Sequence, residues 1–283
     1  MIRRLTIVGV GLLGGSVAKA ARARGIATEI VGVGRDPVRL EAARRDGALD
    51  RVTTDLAAGV RDADVVVLAA PVLTILSLLE AVARVGGPET VVTDVGSTKA
   101  AIVAAASRLA GVFPLRFVGS HPMAGSEQSG YAHARVDLFN GATVIVTPTE
   151  ASDATAVKTV TALWEAIGAG RVVTLAPDTH DRAVAAISHL PHLAAFALVD
   201  AVERFEPSAF DVAARGFRDT TRIAAADPTM WEEIFLANRQ ALAEGLEVFR
   251  QALDDLARLI AAGDGDALRA SIARIKARRE ALR

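Results

Sequence analysis

The sequence predicts an α/β protein in which an N-terminal, doubly wound parallel sheet is followed by an all-α C-terminal part. Three observations carry this expectation. Short β-branched runs alternate with alanine-rich stretches from Leu5 to Leu175. Those runs are apolar at nearly every position, the habit of strands buried on both faces beneath helices. After Ala176-Pro177-Asp178 the pattern becomes helical almost throughout, which sets expected domains at residues 1–176 and 177–283.

In chain order the expected strands are Leu5–Val8, Glu29–Val33, Val65–Ala69, Thr90–Asp94, Arg116–Gly119 and Thr143–Thr147. Helices are expected over Gly14–Arg24, Pro37–Asp46, Thr74–Val85 and Lys99–Leu109, and a last helix and strand, Asp153–Ile167 and Arg171–Leu175, complete the sheet. Further on, Trp231, Phe235, Asn238, Leu242, Leu246, Phe249, Leu253, Leu256 and Ile260 recur at spacings of three and four, one face of a single helix of about 30 residues. At 1.5 Å per residue it spans about 45 Å, more than a domain of this size covers alone. Its stripe is expected to pack against a second copy, giving a homodimer through the C-terminal helical domain. The alternative is a helical core within one chain.

Bulk composition bounds the partners. The 283 residues are 51% apolar and 23% charged, and 32 basic against 33 acidic side chains leave a net charge of -1. No global field exists to hold nucleic acid or an anionic membrane, so neither is an expected partner. With no cysteine, disulfides, thiolate metal sites and a cysteine nucleophile are excluded. The five histidines and the carboxylates lack ligand spacing, and no metal is expected. Arg3-Arg4, an apolar stretch and Ala18-Lys19-Ala20 imitate a secretory leader. The glycines inside that stretch have a better mechanical use, and a cytoplasmic enzyme is expected.

Gly9-Val10-Gly11-Leu12-Leu13-Gly14 follows an apolar strand and opens a helix. In a βαβ unit the first glycine permits the tight turn, the second lets the backbone approach a pyrophosphate, and the third allows close helix–sheet packing. This is a Rossmann-like dinucleotide loop. An NAD-preferring version ends its second strand in an acidic residue that holds the adenosine ribose. Here Gly34 stands at that place and Arg35 follows, with a guanidinium suited to a 2′-phosphate, so NADP is favoured. Asp36, one residue on, keeps NAD as the alternative.

Four segments carry polar groups that the fold can bring together at the carboxyl ends of its strands. They are Asp94-Val95-Gly96-Ser97-Thr98-Lys99, the stretch from His121 to Gly130 with His121-Pro122-Met123-Ala124-Gly125-Ser126-Glu127, Ser188-His189-Leu190-Pro191-His192, and Gly216-Phe217-Arg218-Asp219-Thr220-Thr221-Arg222. With the glycine loop, their order and spacing resemble the prephenate and arogenate dehydrogenases of tyrosine biosynthesis, from about residue 5 to about residue 240.

The resemblance implies an oxidative decarboxylation with hydride transfer to NAD(P). It implies that His121 hydrogen-bonds the C4 hydroxyl of a small cyclohexadienyl substrate, a role open to a neutral imidazole near pH 7. Ser97 matches the serine that orients this histidine, although a helix N-cap would look the same in sequence. Arg222 matches the arginine that grips a substrate carboxylate. His189 matches a second active-site histidine, with His192 structural. Arg218 and Asp219 are expected as an entrance pair with Glu127, and an acid such as Glu127 or Asp219 facing the substrate's side chain would distinguish arogenate from prephenate.

Set against some members of that family, neither an amino-acid-sensing domain after the long helix nor a chorismate mutase segment before the glycine loop is expected. Feedback by tyrosine would then act at the active site itself. Two other functions fit parts of the pattern. A β-hydroxyacid dehydrogenase or imine reductase shares the architecture but relies on a lysine in the helical domain, and none lies between Lys158 and Lys276. A non-catalytic NAD(P)-binding protein would have no use for His121, Ser97, His189 and Arg222 in one cleft.

Overall fold

The apolar runs assemble into a six-stranded, all-parallel sheet of order β3-β2-β1-β4-β5-β6. Its strands are β1 (Ile2–Val8), β2 (Ala27–Val33), β3 (Arg51–Thr53), β4 (Val65–Leu68), β5 (Val91–Asp94) and β6 (Arg116–Phe117). The computed structural model describes residues 1–126 and 128–282. Between the strands run α1 (Leu12–Ala23), α2 (Pro37–Arg45), α3 (Leu56–Val60), α4 (Val72–Val85) and α5 (Ala100–Ala110).

Strand β4 shows why these runs lack polar alternation. Val65 and Val67 enter one buried cluster, with Val17, Ile30 and Trp164, while Val66 and Leu68 enter the other, with Ile75, Leu79 and Ile102. Both faces are covered, so every position must be apolar. Thr6 on β1 is tolerated because its hydroxyl donates to the carbonyl of Gly59 at 2.7 Å. The strand order reverses between β1 and β4, and the crevice at their carboxyl ends is where such sheets bind ligands.

Arg116–Gly119 is not one strand. After β6 the amide of Val118 still bonds the carbonyl of Val92 at 2.9 Å, but that of Ser120 turns to the Asp94 carboxylate at 3.1 Å. The chain thereby leaves the first sheet. It continues as β7 (Gly119–Pro122) in a second sheet of order β7-β8-β9, antiparallel to β8 (Thr143–Thr147), which pairs in parallel with β9 (Arg171–Thr174). The expected last helix, α6 (Ala154–Ile167), and strand therefore complete this second sheet, not the first.

Pro177–Phe205 forms a 29-residue helical run, long and apolar enough by length and composition to cross a membrane. Its polar residues supply much of the network described below. It comprises α7 (Pro177–Val184), a π-helical turn (Ala185–His189) and α8 (Leu190–Phe205). Pro191 has no amide to give the carbonyl of Ile187 four residues earlier, and its ring crowds that carbonyl; widening the preceding turn relieves both. Next come α9 (Arg215–Thr221), a 3₁₀ turn (Arg222–Ala225) and α10 (Pro228–Ala237), whose Asp227 cap accepts from the amide of Met230 at 2.9 Å.

The single helix expected from Trp231 to Ile260 is broken at Asn238, whose backbone (φ -115, ψ 28) leaves the helical region. Asn238 keeps the spacing of the stripe but is polar. It is buried, and its side-chain amide donates to the carbonyl of Asp181 at 2.8 Å. Backbone contacts group Met1–Asn238 into one compact unit, so the helices from Pro177 to Asn238 belong with the sheets. The second unit, from Arg239, contains α11 (Arg239–Ala261) and α12 (Gly265–Glu280), joined through Gly263 at φ +65 and capped by Asp264. Val248, Leu253, Ile260, Ile272 and Ile275 are exposed on this pair.

Candidate active site

Each glycine of the N-terminal loop meets a different steric demand. Gly9, at φ +98, passes so close to β4 that a Cβ would stand 2.2 Å from the carbonyl oxygen of Ala69. At Gly14 a Cβ would lie 2.0 Å from the carbonyl oxygen of Gly9 and 2.9 Å from the Ala69 side chain. Gly11, at the start of α1, faces open space, with nothing within 4 Å of an added Cβ. Tight turn, close packing and an open approach to unpaired helix amides are what a pyrophosphate site needs. Leu12 and Leu13 open α1 behind Gly11. We expect Gly14→Ala to destabilise the fold by roughly 1–3 kcal/mol, because a backbone oxygen has to move; thermal unfolding of the variant checks this.

Beyond β2, Gly34 is half-buried and Arg35 exposed. The Asp36 carboxylate caps α2, accepting from the amides of Val38 at 2.9 Å and Arg39 at 3.2 Å, and it pairs with the Arg39 guanidinium at 3.1 Å. Its acceptor capacity is largely committed within α2.

The second part of the site is built on a buried polar node at the end of β5. Asp94, fully buried, accepts from the amides of Gly96 at 2.8 Å and Ser120 at 3.1 Å and pairs with the buried ammonium of Lys99. Lys99 also donates to the carbonyl of Ser120 at 2.9 Å, and the Ser120 hydroxyl is held by Asp94, Thr93 and Trp164. The loop carrying Ser97 is thus tied at both ends to the residue before His121. Burial pushes the Lys99 ammonium down, and Asp94 opposes that shift.

Ser97 itself is half-buried and does not cap α5. That task falls to Asp181, 82 residues beyond Lys99, whose carboxylate accepts from the amides of Lys99 at 2.7 Å and Ala100 at 3.0 Å. The serine hydroxyl is therefore not spent on the helix end.

His121 is half-buried as a residue, and its Nδ1 lies 2.8 Å from Nε2 of the fully buried His180. On the far side of His180, Nδ1 bonds a carboxylate oxygen of Asp181 at 2.7 Å. Burial, then the neighbouring His180, Lys99 and His189, hold His121 well below the ordinary histidine value of 6.5, so it is neutral at pH 7. His189, at the end of the π-turn, is buried, and its Nδ1 lies 3.1 Å from the Asn238 amide nitrogen. Desolvation, opposed by Asp181 and reinforced by His180 and His192, lowers it to about 4.

These depressed values couple to stability. Unfolded, both histidines bind a proton near 6.5, whereas the folded chain resists protonation until well below that value. Between 6.5 and about 4 the unfolded state therefore binds more protons, so stability is full above pH 6.5 and falls through this window. Urea unfolding midpoints should drop between pH 7 and 4.5; a flat profile would mean that these rings are not held neutral.

His192 packs as a structural residue. Its Nδ1 donates to the carbonyl of Ser188 at 2.9 Å, and its ring stacks on Trp231 at 3.6 Å. Arg222 is exposed at the start of the 3₁₀ turn after α9, a turn that packs against α8, and its charge helps lower His192. Arg218 donates to the carbonyl of Ala213 at 3.3 Å, and Asp219 pairs with Arg215 at 3.1 Å; both are exposed. Glu127, expected beside them, lies outside the described residues. His180, Asp181 and Asn238 belong to this network although the sequence patterns had not placed them there. A His–Asp pair directly after the Pro177 boundary was the available signal.

A dinucleotide loop on a doubly wound sheet, with a neutral histidine in the same compact unit, defines the class as a dinucleotide-binding oxidoreductase. The family model for the prephenate dehydrogenase nucleotide-binding domain matches residues 17–174, and that for the prephenate dehydrogenase dimerization domain matches residues 176–274. The chain belongs to the prephenate dehydrogenase family. It is 36% identical over 270 residues to a prephenate dehydrogenase of Bacillus subtilis, covering 93% of this chain and 72% of that protein. The solved prephenate dehydrogenase of Aquifex aeolicus, in complex with hydroxyphenyl propionate and NAD+, superposes with a TM-score of 0.93 at 34% identity, covering 100% of this chain and 99% of that one. Synechocystis arogenate dehydrogenase superposes with a TM-score of 0.85 at 32% identity, covering 98% and 99%.

Proposed function

We propose that the chain catalyses the oxidative decarboxylation of prephenate or arogenate, giving 4-hydroxyphenylpyruvate or tyrosine, with NADP as the preferred hydride acceptor. The observation that carries this proposal is His121, neutral at pH 7 and fixed on the rim of the nucleotide-binding sheets by the Asp94–Lys99–Ser120 node. When bound, the nicotinamide supplies the acceptor for the hydride that leaves C4. His121 takes the proton of the C4 hydroxyl as that hydride departs. The electron pair of the breaking carbon–carboxylate bond closes the aromatic ring as carbon dioxide leaves, and the proton returns to the phenolate oxygen.

Ser97, with its hydroxyl not used as a cap, hydrogen-bonds the same substrate oxygen, and His189 lines the pocket as a second polar wall. Arg222 binds a substrate carboxylate through its planar guanidinium. In this proposal Arg218 and Asp219 stand at the entrance and decide between the keto acid and amino acid side chains. Gly9, Gly11, Leu12, Leu13 and Gly14 receive the pyrophosphate, and we expect Gly11→Ala to fold normally yet bind NADP more weakly, as titration calorimetry would read. The preference for NADP is supported by the exposed Arg35 beyond Gly34 and by the commitment of Asp36 to the α2 cap.

Residues 1–176 carry the cofactor and residues 177–283 the substrate and dimer contacts in this proposal. The exposed apolar residues of α11 and α12 support a homodimer, which sedimentation at micromolar concentration tests; a pure monomer would refute it. The enzyme is placed in the cytoplasm. Steady-state assays with prephenate and arogenate, each with NAD and NADP, test the reaction itself. Turnover of neither substrate would overturn it.

A further inference from the structure

The Asp181 carboxylate is surrounded by donors. One oxygen accepts from the amide of Lys99 at 2.7 Å and from His180 Nδ1 at 2.7 Å, and the other accepts from the amide of Ala100 at 3.0 Å. The Asn238 amide fixes the same residue through its carbonyl at 2.8 Å. Asp181 also sits at the N-terminus of α5, where helix amides favour a negative charge. His180 and backbone amides hold its carboxyl below the usual carboxylate range against the cost of burial, so it accepts hydrogen bonds and donates none.

The consequences follow ring by ring. Bonded to an acceptor-only group, His180 Nδ1 must carry a proton. A neutral His180 then presents a bare Nε2, and the nitrogen 2.8 Å away, Nδ1 of His121, must be the donor. That leaves Nε2 of His121 bare. A lone pair on Nε2 is what a proton acceptor needs, whereas the opposite tautomer would present an N–H to the substrate and could not take its proton.

We infer that His180 and Asp181 are positioning residues that fix the tautomer of His121, forming a relay that runs from the N-terminus of α5 through two imidazoles to the substrate hydroxyl. The logic is that of a catalytic triad, in which a buried carboxylate orients the base, with one imidazole interposed. The relay also stabilises the imidazolium formed at His121, because its Nδ1–H already points at a bare nitrogen. This inference rests on His121 being the base of the reaction proposed above.

The test joins spectroscopy to kinetics on the full-length chain. In protein labelled with ¹⁵N-histidine, His121 is assigned by the signals missing from His121→Asn. Wild type should show His121 protonated on Nδ1 and bare on Nε2 at pH 7. Asp181→Asn offers an amide N–H where His180 now donates, and it should reverse both rings and lower kcat by about 10²-fold or more with KM within about twofold, as loss of the correct tautomer does in a triad. His180→Gln, whose carbonyl can still accept from His121, should retain most of the activity that His180→Leu loses.

A wild-type His121 carrying its proton on Nε2 would overturn the inference, as would wild-type kcat in both Asp181→Asn and His180→Leu. If Asp181→Asn fails to fold, the wild-type spectrum and the His180 pair still decide. Wild-type protein that oxidises neither prephenate nor arogenate would remove the proposed reaction, and the spectrum would then judge the tautomer alone.

Discussion

Replacing His121 with asparagine is expected to lower kcat by about 10²-fold or more while leaving the affinity for NADP unchanged. Asparagine occupies a similar volume and keeps polar atoms near His180, but it offers no basic nitrogen for the substrate proton. The Ser120 contacts to Asp94, Lys99, Thr93 and Trp164 are independent of the His121 ring, so β7 should stay in place. The glycine loop is a separate structure at the β1 and β4 ends, which is why cofactor binding should survive. Pre-steady-state hydride transfer, read as reduced-nicotinamide absorbance, gives the test. Wild-type turnover would remove His121 from the mechanism.

Arg222→Ala is expected to act on binding more than on the chemical step, raising KM by about 2 kcal/mol or more through loss of a charge-assisted, two-toothed contact. Arg222 is exposed, and its charge reaches His192. A KM near that of wild type would assign Arg222 to the protein surface, and a fall in kcat at constant KM would assign it to the transition state instead.

The doubly wound sheet was legible because its strands are buried on both faces, so runs such as Val65-Val66-Val67-Leu68 carry no polar interruption. The glycine loop was legible because backbone contact at Gly9 and Gly14 forbids any side chain. The division into two sheets was not. It turns on one side chain, Asp94, capturing the amide of Ser120, an event between residues 26 apart that leaves no periodic trace.

The break at Asn238 was hidden for a related reason. Its spacing suits an apolar stripe, and only the three-dimensional position of Asp181 and His189 explains a polar residue there. His180 and Asp181 form no local motif, because their partners, His121 and Lys99, stand 59 and 82 residues away. Motif spacing reads local geometry well, whereas hydrogen bonds across the fold have no fixed spacing to read.

The wide turn at Ala185–His189 bears on how this chain is compared with others. A π-turn holds one residue more than the α-turn it replaces, and each α-helical residue advances the helix by about 100°. Deleting a single residue within it would rotate α8 by about 100° relative to His180, turning His192 toward a different side while shortening the helix hardly at all. A one-position gap at this point in an alignment therefore records a change of phase, and histidines that align in sequence across it would face different directions.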